Sequence, residues 1–143
     1  MSYDESYLDE LAQAEHSHFW FKTRKEKICQ AFHQHVERGS KILEVGGGTG
    51  FIAAALQNQG FDIELSDTAF NGLVYARQKG LKKLHQFDLF KPPFHETFDV
   101  ICLFDVLEHQ QEDQNALESL KTMLKPGGKI ILTVPAHQWL WSR

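Results

Sequence analysis

Ile42-Leu43-Glu44-Val45-Gly46-Gly47-Gly48-Thr49-Gly50 runs an apolar segment of strand length straight into a cluster of glycines, and Ala53 to Leu56 behind it are helix formers. Strand, tight turn and helix in that order open a parallel α/β sheet. Glycine tolerates positive φ and lacks the Cβ that would hold a ligand off the backbone, while the helix start offers unpaired N–H groups and a positive dipole end. The turn therefore suits a nucleotide-like molecule at the carboxyl edge of the sheet.

Spacing narrows the ligand. The glycines fall at 46, 48 and 50, and Phe51 stands where a dinucleotide fingerprint wants Gly or Ala. Glu44, two residues before the first glycine, would oppose a pyrophosphate and favour a cationic group. A zwitterionic, sulfonium-bearing ligand fits the turn better than NAD does.

Outward from the turn, apolar runs alternate with helical patterns. Strands are expected at Lys41 to Val45, Phe61 to Ser66, Lys83 to Phe87, Phe98 to Phe104 and Lys129 to Val134. Helices are expected over Phe51 to Gln59, from Thr68 to Gly80, and along Ala116, Leu117, Leu120, Met123 and Leu124, the last stopped by Lys125-Pro126-Gly127-Gly128. The fold this predicts is a three-layer α/β sandwich with a five-stranded parallel sheet in the order 3-2-1-4-5. Two helices precede it, one carrying Tyr7, Leu8 and Leu11 and the other Ile28, Phe32 and Val36, with His18-Phe19-Trp20-Phe21 between them. Residues 1–38 read as a helical cap lying over the ligand edge and residues 39–143 as the core of one globular domain.

The 143 residues suffice for one buried core without staples, and 42% hydrophobic with 24% charged residues excludes disorder and coiled coil. A net charge of −4 argues against a general nucleic-acid or membrane-surface binder. Lys22, Arg24, Lys25 and Lys27 beside Phe19 and Trp20 admit a nucleic-acid reading, but these aromatics serve better as a lid or the wall of an acceptor pocket. Cys29 and Cys102 make no disulfide framework, and neither a signal peptide nor an eighteen-residue apolar run is present, so a cytoplasmic protein is expected. Of eight histidines, His33 and His35 face different sides of a helix, and no metal is expected.

Each later strand brings a polar group to the edge that carries the glycines. Asp67, with its neighbour Thr68, ends the second strand, where a carboxylate can accept both hydroxyls of a ribose; it can equally cap the next helix. Glu64 alternates onto the face of Asp62 and is passed over. Asp88 and Leu89 after the third strand offer an acceptor and an apolar surface for an adenine, or a simple turn. Phe104 and Asp105 end the fourth strand. His109 beyond them has two readings, a group that orients or deprotonates an acceptor and a structural histidine before the next helix.

Glu44-x-Gly46-x-Gly48-x-Gly50, Asp67, Asp88-Leu89, Phe98-Asp99-Val100-Ile101, Val106-Leu107-Glu108-His109 and Lys125-Pro126-Gly127-Gly128 resemble, in order, the motifs of the class I S-adenosylmethionine-dependent methyltransferases. His18-Phe19-Trp20-Phe21-Lys22-x-Arg24 is similar to a phrase found in a small subgroup of them. The resemblance implies that Glu44 and the backbone of Gly46, Gly47, Gly48 and Gly50 hold the methionyl end, Asp67 and Thr68 the ribose, Asp88 and Leu89 the adenine, and Phe104 the flank. Arg24 reaches the methionyl carboxylate or remains a solvated helix charge. Phe19, Trp20 and Asp105 belong to the acceptor side, and the acceptor is a small molecule. Two rivals stay open, a dinucleotide-dependent oxidoreductase and a cofactor-binding module without catalysis. The second arises because the resembling family has seven strands and this chain stops just after the fifth, with Trp139 and Trp141 looking like the start of an acceptor loop. A chain truncated there is expected to self-associate through the exposed strand at Lys129 to Val134.

Overall fold

A computed structural model describes residues 5–135. Helices α1 (Glu5–Ser17) and α2 (Phe19–His35) lead into β1 (Lys41–Val45), α3 (Phe51–Asn58), β2 (Asp62–Asp67), α4 (Phe70–Gln78), β3 (Leu84–Gln86), β4 (Phe98–Phe104), α5 (Asp113–Met123) and β5 (Leu124–Thr133). The five strands form one parallel sheet in the order β3-β2-β1-β4-β5, as the sequence predicts.

Alternation along the strands builds two cores. Ile42, Val100 and Cys102 turn to one face, where they meet Ile28 and Phe32 of α2 and Ile52, Ala53 and Leu56 of α3. Leu43, Ile101 and Leu103 turn to the other, against Ala116, Leu120 and Met123 of α5. These three lie four and three apart and are fully buried, each large apolar side chain contributing about 1.5–3 kcal/mol by leaving water. Right-handed crossovers put α3 and α4 on one face while the sheet grows from β1 to β3, and α5 on the other once it grows from β4 to β5. The chain reverses between β1 and β4, and that reversal opens a crevice at their carboxyl ends.

The structure corrects three expectations about local elements. The aromatic cluster is not a link between helices: His18 is the N-cap of α2, its Nδ1 accepting from the Trp20 N–H, and Phe19, Trp20 and Phe21 form the helix's first turn. Lys125-Pro126-Gly127-Gly128 does not simply stop α5, because β5 already begins at Leu124, paired with Phe98. Pairing resumes at Val100 and Lys129, so the Pro-Gly-Gly run bulges out of a strand that has begun, with Gly127 at φ 78°. Leu117, expected in the apolar stripe of α5, points outward and is among the exposed apolar residues. The acceptor loop expected at Trp139 and Trp141 lies outside the described residues. Among those residues, no helix is long and apolar enough to cross a membrane.

Candidate functional site

The glycine turn is tied down before any ligand reaches it. Gly46 and Gly47 donate to the Ser66 carbonyl at 2.8 and 3.1 Å, which extends the β1–β2 ladder past the end of β1. Gly48, at φ 53°, donates to Asp67 Oδ2 at 2.8 Å, and a Cβ added there would meet nothing within 4 Å. Gly47 is required for a different reason: its Cβ would lie 2.5 Å from Leu65 Cδ1 and 3.1 Å from the Glu44 carboxyl carbon.

Two cavities flank this turn. The first, about 260 Å³, lies under α1 and α2, where Tyr7, Leu8, Leu11, Trp20, Phe21 and Arg24 face Glu44, the backbone of Gly46 to Gly48, Phe104 and Asp105. The second, about 500 Å³, lies beyond Asp67 and is lined by Val45, Thr68, Phe87, Asp88, Leu89 and Phe90. Gly46, Asp67, Val106 and His109 border both. A ligand with a charged head, a diol in the middle and a flat apolar end finds matching surfaces in that order.

Glu44 dominates the first cavity. Its side chain is only 3% exposed, and Oε2 has no hydrogen-bond partner among the described residues. Burial pushes its carboxyl up to about 8; nearby Arg24 and a backbone hydrogen bond from Ala53 pull the other way, and Asp67 and Glu15 add to the rise. A buried carboxyl with a bare oxygen is costly unless a cation or donor arrives to meet it. Arg24 Nε stands 2.8 Å from Asp105 Oδ2, close enough to pair by charge, although its N–H is aimed elsewhere and makes no hydrogen bond among the described residues. The guanidinium also lies over the Trp20 ring, 5.2 Å from its centre, so it is fixed on an edge and a face. Asp105 itself adopts φ 56°, held there by Thr133, whose hydroxyl donates to Oδ1 at 2.9 Å.

Asp67 ties the glycine turn to Ala69, the residue that caps α4. Its Oδ2 holds Gly48, its Oδ1 accepts from the Ala69 N–H at 2.8 Å before α4, and each oxygen keeps a lone pair for another donor. Asp88 is exposed, accepts from the Phe90 N–H at 3.0 Å and shapes a turn at the rim of the second cavity, with Leu89 buried beside it. His109 ends a 3-10 turn, Leu107–His109, and is exposed on the border of the two cavities. Glu64 faces away from both, held by His85 Nε2 at 2.6 Å and by Lys41 and Lys83.

Two expected site residues do not reach a cavity. Phe19 is 73% exposed and stacks on His18; a first-turn position two residues on, Phe21, takes the wall instead. Gly50 is needed for packing, since its Cβ would lie 2.8 Å from Ala76 Cβ and Leu81 Cδ1. Residues without a motif also matter: Thr49 and Glu15, buried at the wall of the first cavity, form a cluster with Lys79, and Gly72 of α4 touches the Gly48 carbonyl so closely that a Cβ would come to 2.8 Å. Among the described residues no group of three His, Cys, Asp or Glu side chains converges as for a metal ion.

Residues 11–143 match the family model of a methyltransferase domain. The ubiquinone biosynthesis O-methyltransferase of Aliivibrio fischeri strain MJ11 is 28% identical over 102 residues, covering 66% of this chain and 44% of that protein. The chain thus spans less than half the length of the curated relatives it matches. Among solved structures, an S-adenosylmethionine-dependent methyltransferase candidate from Methanococcus maripaludis superposes with a TM-score of 0.80 at 17% identity, over 94% of this chain and 67% of that one. The glycopeptide N-methyltransferase MtfA, solved with S-adenosyl-L-methionine, gives a TM-score of 0.67 at 18% identity, over 80% of this chain and 56% of that one.

Proposed function

The chain belongs to the methyltransferase-domain family, and from that premise we propose that it binds S-adenosylmethionine across the two cavities and takes part in methyl transfer to a small-molecule oxygen. The observation that carries the reading is the buried Glu44 carboxyl with its bare Oε2 beside the glycine turn. An α-ammonium group offers the N–H donor that oxygen lacks, whereas the one cation of NAD, its quaternary nicotinamide nitrogen, carries no N–H.

The residues present fit the cofactor along its length. Glu44 would take its ammonium group and Arg24 its carboxylate, with the backbone of Gly46 to Gly48 alongside. Asp67 would accept the ribose hydroxyls, Thr68 standing next to it. Asp88 and Leu89 would meet the adenine edge and face, and Phe104 the flank near the sulfur. When bound, S-adenosylmethionine supplies a methyl group on a positively charged sulfur. The chain's own part is alignment and the exclusion of water, for which Trp20, Phe21 and Phe104 wall the first cavity with apolar surface. His109, on the rim shared by both cavities, takes the proton of an acceptor hydroxyl on an imidazole nitrogen as the oxygen becomes nucleophilic. Curated relatives at 26–28% identity include ubiquinone biosynthesis O-methyltransferases, which supports an oxygen acceptor on a small molecule.

Titration calorimetry with S-adenosylmethionine, S-adenosylhomocysteine and NAD tests the reading. Binding of the first two and no heat from NAD is expected. Tight NAD binding with no response to S-adenosylhomocysteine would sink it.

A further inference from the structure

Glu15 lies on α1, outside every motif of the sheet edge, yet its side chain is only 5% exposed. A carboxylate is buried at a cost unless its charge is used. Here it is used on one residue of the ligand turn: both oxygens accept from Thr49 Oγ1, at 2.6 and 2.7 Å, the single hydroxyl proton lying between them. Lys79, just past the end of α4, completes the cluster. Its Nζ stands 3.4 Å from Glu15 Oε2 and donates to the Thr49 carbonyl at 2.9 Å.

The turn between β1 and α3 is therefore gripped at three polar atoms of two consecutive residues: Gly48 N by Asp67, Thr49 Oγ1 by Glu15 and Thr49 O by Lys79. Asp67 and Lys79 belong to the core that bears the turn. Glu15 alone comes from the helix whose Tyr7, Leu8 and Leu11 roof the first cavity. A second tie runs from the Tyr75 hydroxyl of α4 to Asp9 of α1. Thr49 is 1% exposed, so no water replaces the Glu15 contact while α1 is in place.

We propose that Glu15 is a positioning residue that couples the seating of α1 over the first cavity to the shape of the glycine turn, so that the cofactor is retained only while α1 is docked. This rests on the S-adenosylmethionine reading and deepens it. By linkage the effect runs both ways: bound ligand holds α1 down, and a docked α1 slows ligand release. Lys79 keeps the carbonyl side of Thr49 fixed when α1 lifts, which limits the turn's movement to its hydroxyl side.

Thr49→Val removes the hydroxyl at nearly constant volume, Glu15→Gln removes the charge, and Thr49→Ser keeps the hydroxyl. Two readouts are taken on each: amide hydrogen exchange over residues 5–17 without ligand, and the dissociation rate of S-adenosylhomocysteine. Thr49→Val and Glu15→Gln are expected to speed both by at least tenfold, and Thr49→Ser to recover most of the loss. Wild-type exchange and release in Thr49→Val overturn the proposal, as does faster exchange with unchanged release, since that breaks the coupling. Failure of the wild-type chain to bind S-adenosylhomocysteine overturns the functional reading instead. The exchange measurement on ligand-free protein then still decides the latch, a rise in Thr49→Val supporting it and unchanged rates rejecting it.

Discussion

The cavity under α1 and α2 is walled by helices and holds the buried acids Glu44 and Glu15, whereas the cavity beyond Asp67 is lined by the loop after β3, with Asp88 exposed and Phe90 half in solvent. The first holds one costly, unsatisfied oxygen, on Glu44; the second is roomier, with Asp67 tied to backbone N–H groups at its border and Asp88 in water. Electrostatic contacts gain strength where water is excluded. The cavity around the buried Glu44 should therefore set affinity, and the one around the solvated Asp88 should set little beyond shape.

His109 belongs to both cavities, and its replacement separates chemistry from binding most sharply. His109→Ala is expected to lower turnover of a hydroxyl acceptor by about 10²-fold or more, the usual worth of a general base, while leaving S-adenosylhomocysteine affinity within about twofold. Full turnover in the variant would return His109 to a structural part.

The cavities themselves are compared by Glu44→Ala and Asp88→Ala. Loss of Glu44 should weaken S-adenosylhomocysteine by about 1.5–3 kcal/mol, the range for hydrogen bonds to a charged group, or about ten- to a hundred-fold. Loss of Asp88, already solvated, should cost less than about tenfold. Equal losses in calorimetry would break the distinction between the buried and the solvated carboxylate.

The same contrast has a pH signature. With the carboxyl of Glu44 raised from its ordinary 4.5 to about 8, the folded chain holds a proton that the unfolded chain has released between those values. That residue's contribution is full below about pH 4.5 and is lost as pH rises through about 8, by up to about 1.4 kcal/mol per pH unit. Urea unfolding of the ligand-free chain from pH 5 to 8 should show this slope, and Glu44→Gln should flatten it. An unchanged slope in the variant would mean that Glu44 is ionised in the folded chain throughout.

The smallest effect is expected from Glu64→Gln, which touches a carboxylate as buried as Glu44 but on the opposite face of the sheet, among Lys41, Lys83 and His85. S-adenosylhomocysteine affinity should stay within about twofold. A loss comparable to that of Glu44→Ala would show that burial of charge, and not its place, governs binding.

The sheet was legible because its signals are local. The bounds of β1 and β4 follow from alternation and glycine spacing, each read within a few residues, and the strand order from the doubly wound topology that such a strand, turn and helix open. Glu44, Asp67, Asp88 and Phe104 sit at strand ends, so topology alone brings them to one edge. The part of the site made by α1 and α2 was not legible in the same way. Glu15 meets Thr49 across 34 positions and Lys79 across 64, and no period links them. Phe19 and Phe21 are chemically alike, and only the docking angle of α2 decides which of them faces inward. One signal was available: Trp20 and Arg24 lie four apart, the helical spacing that stacks a guanidinium on a ring. At β5 the Pro-Gly-Gly run reads as a stop, because a bulge inside a strand uses the residues of a turn.

Cys29 on α2 and Cys102 at the middle of the sheet are both buried thiols, their ionisation pushed up by burial and, for Cys102, by the neighbouring Glu44 as well. A thiol reagent attacks the thiolate, so neither residue reacts until its surroundings open. The two stand in different places in the order of opening: Cys29 is uncovered when α2 leaves α3, while Cys102 stays sealed until both helices have left that face of the sheet. The chain thus carries a pair of native chemical clocks, and the interval between their labelling times measures how far the helical roof can lift while the sheet beneath it holds.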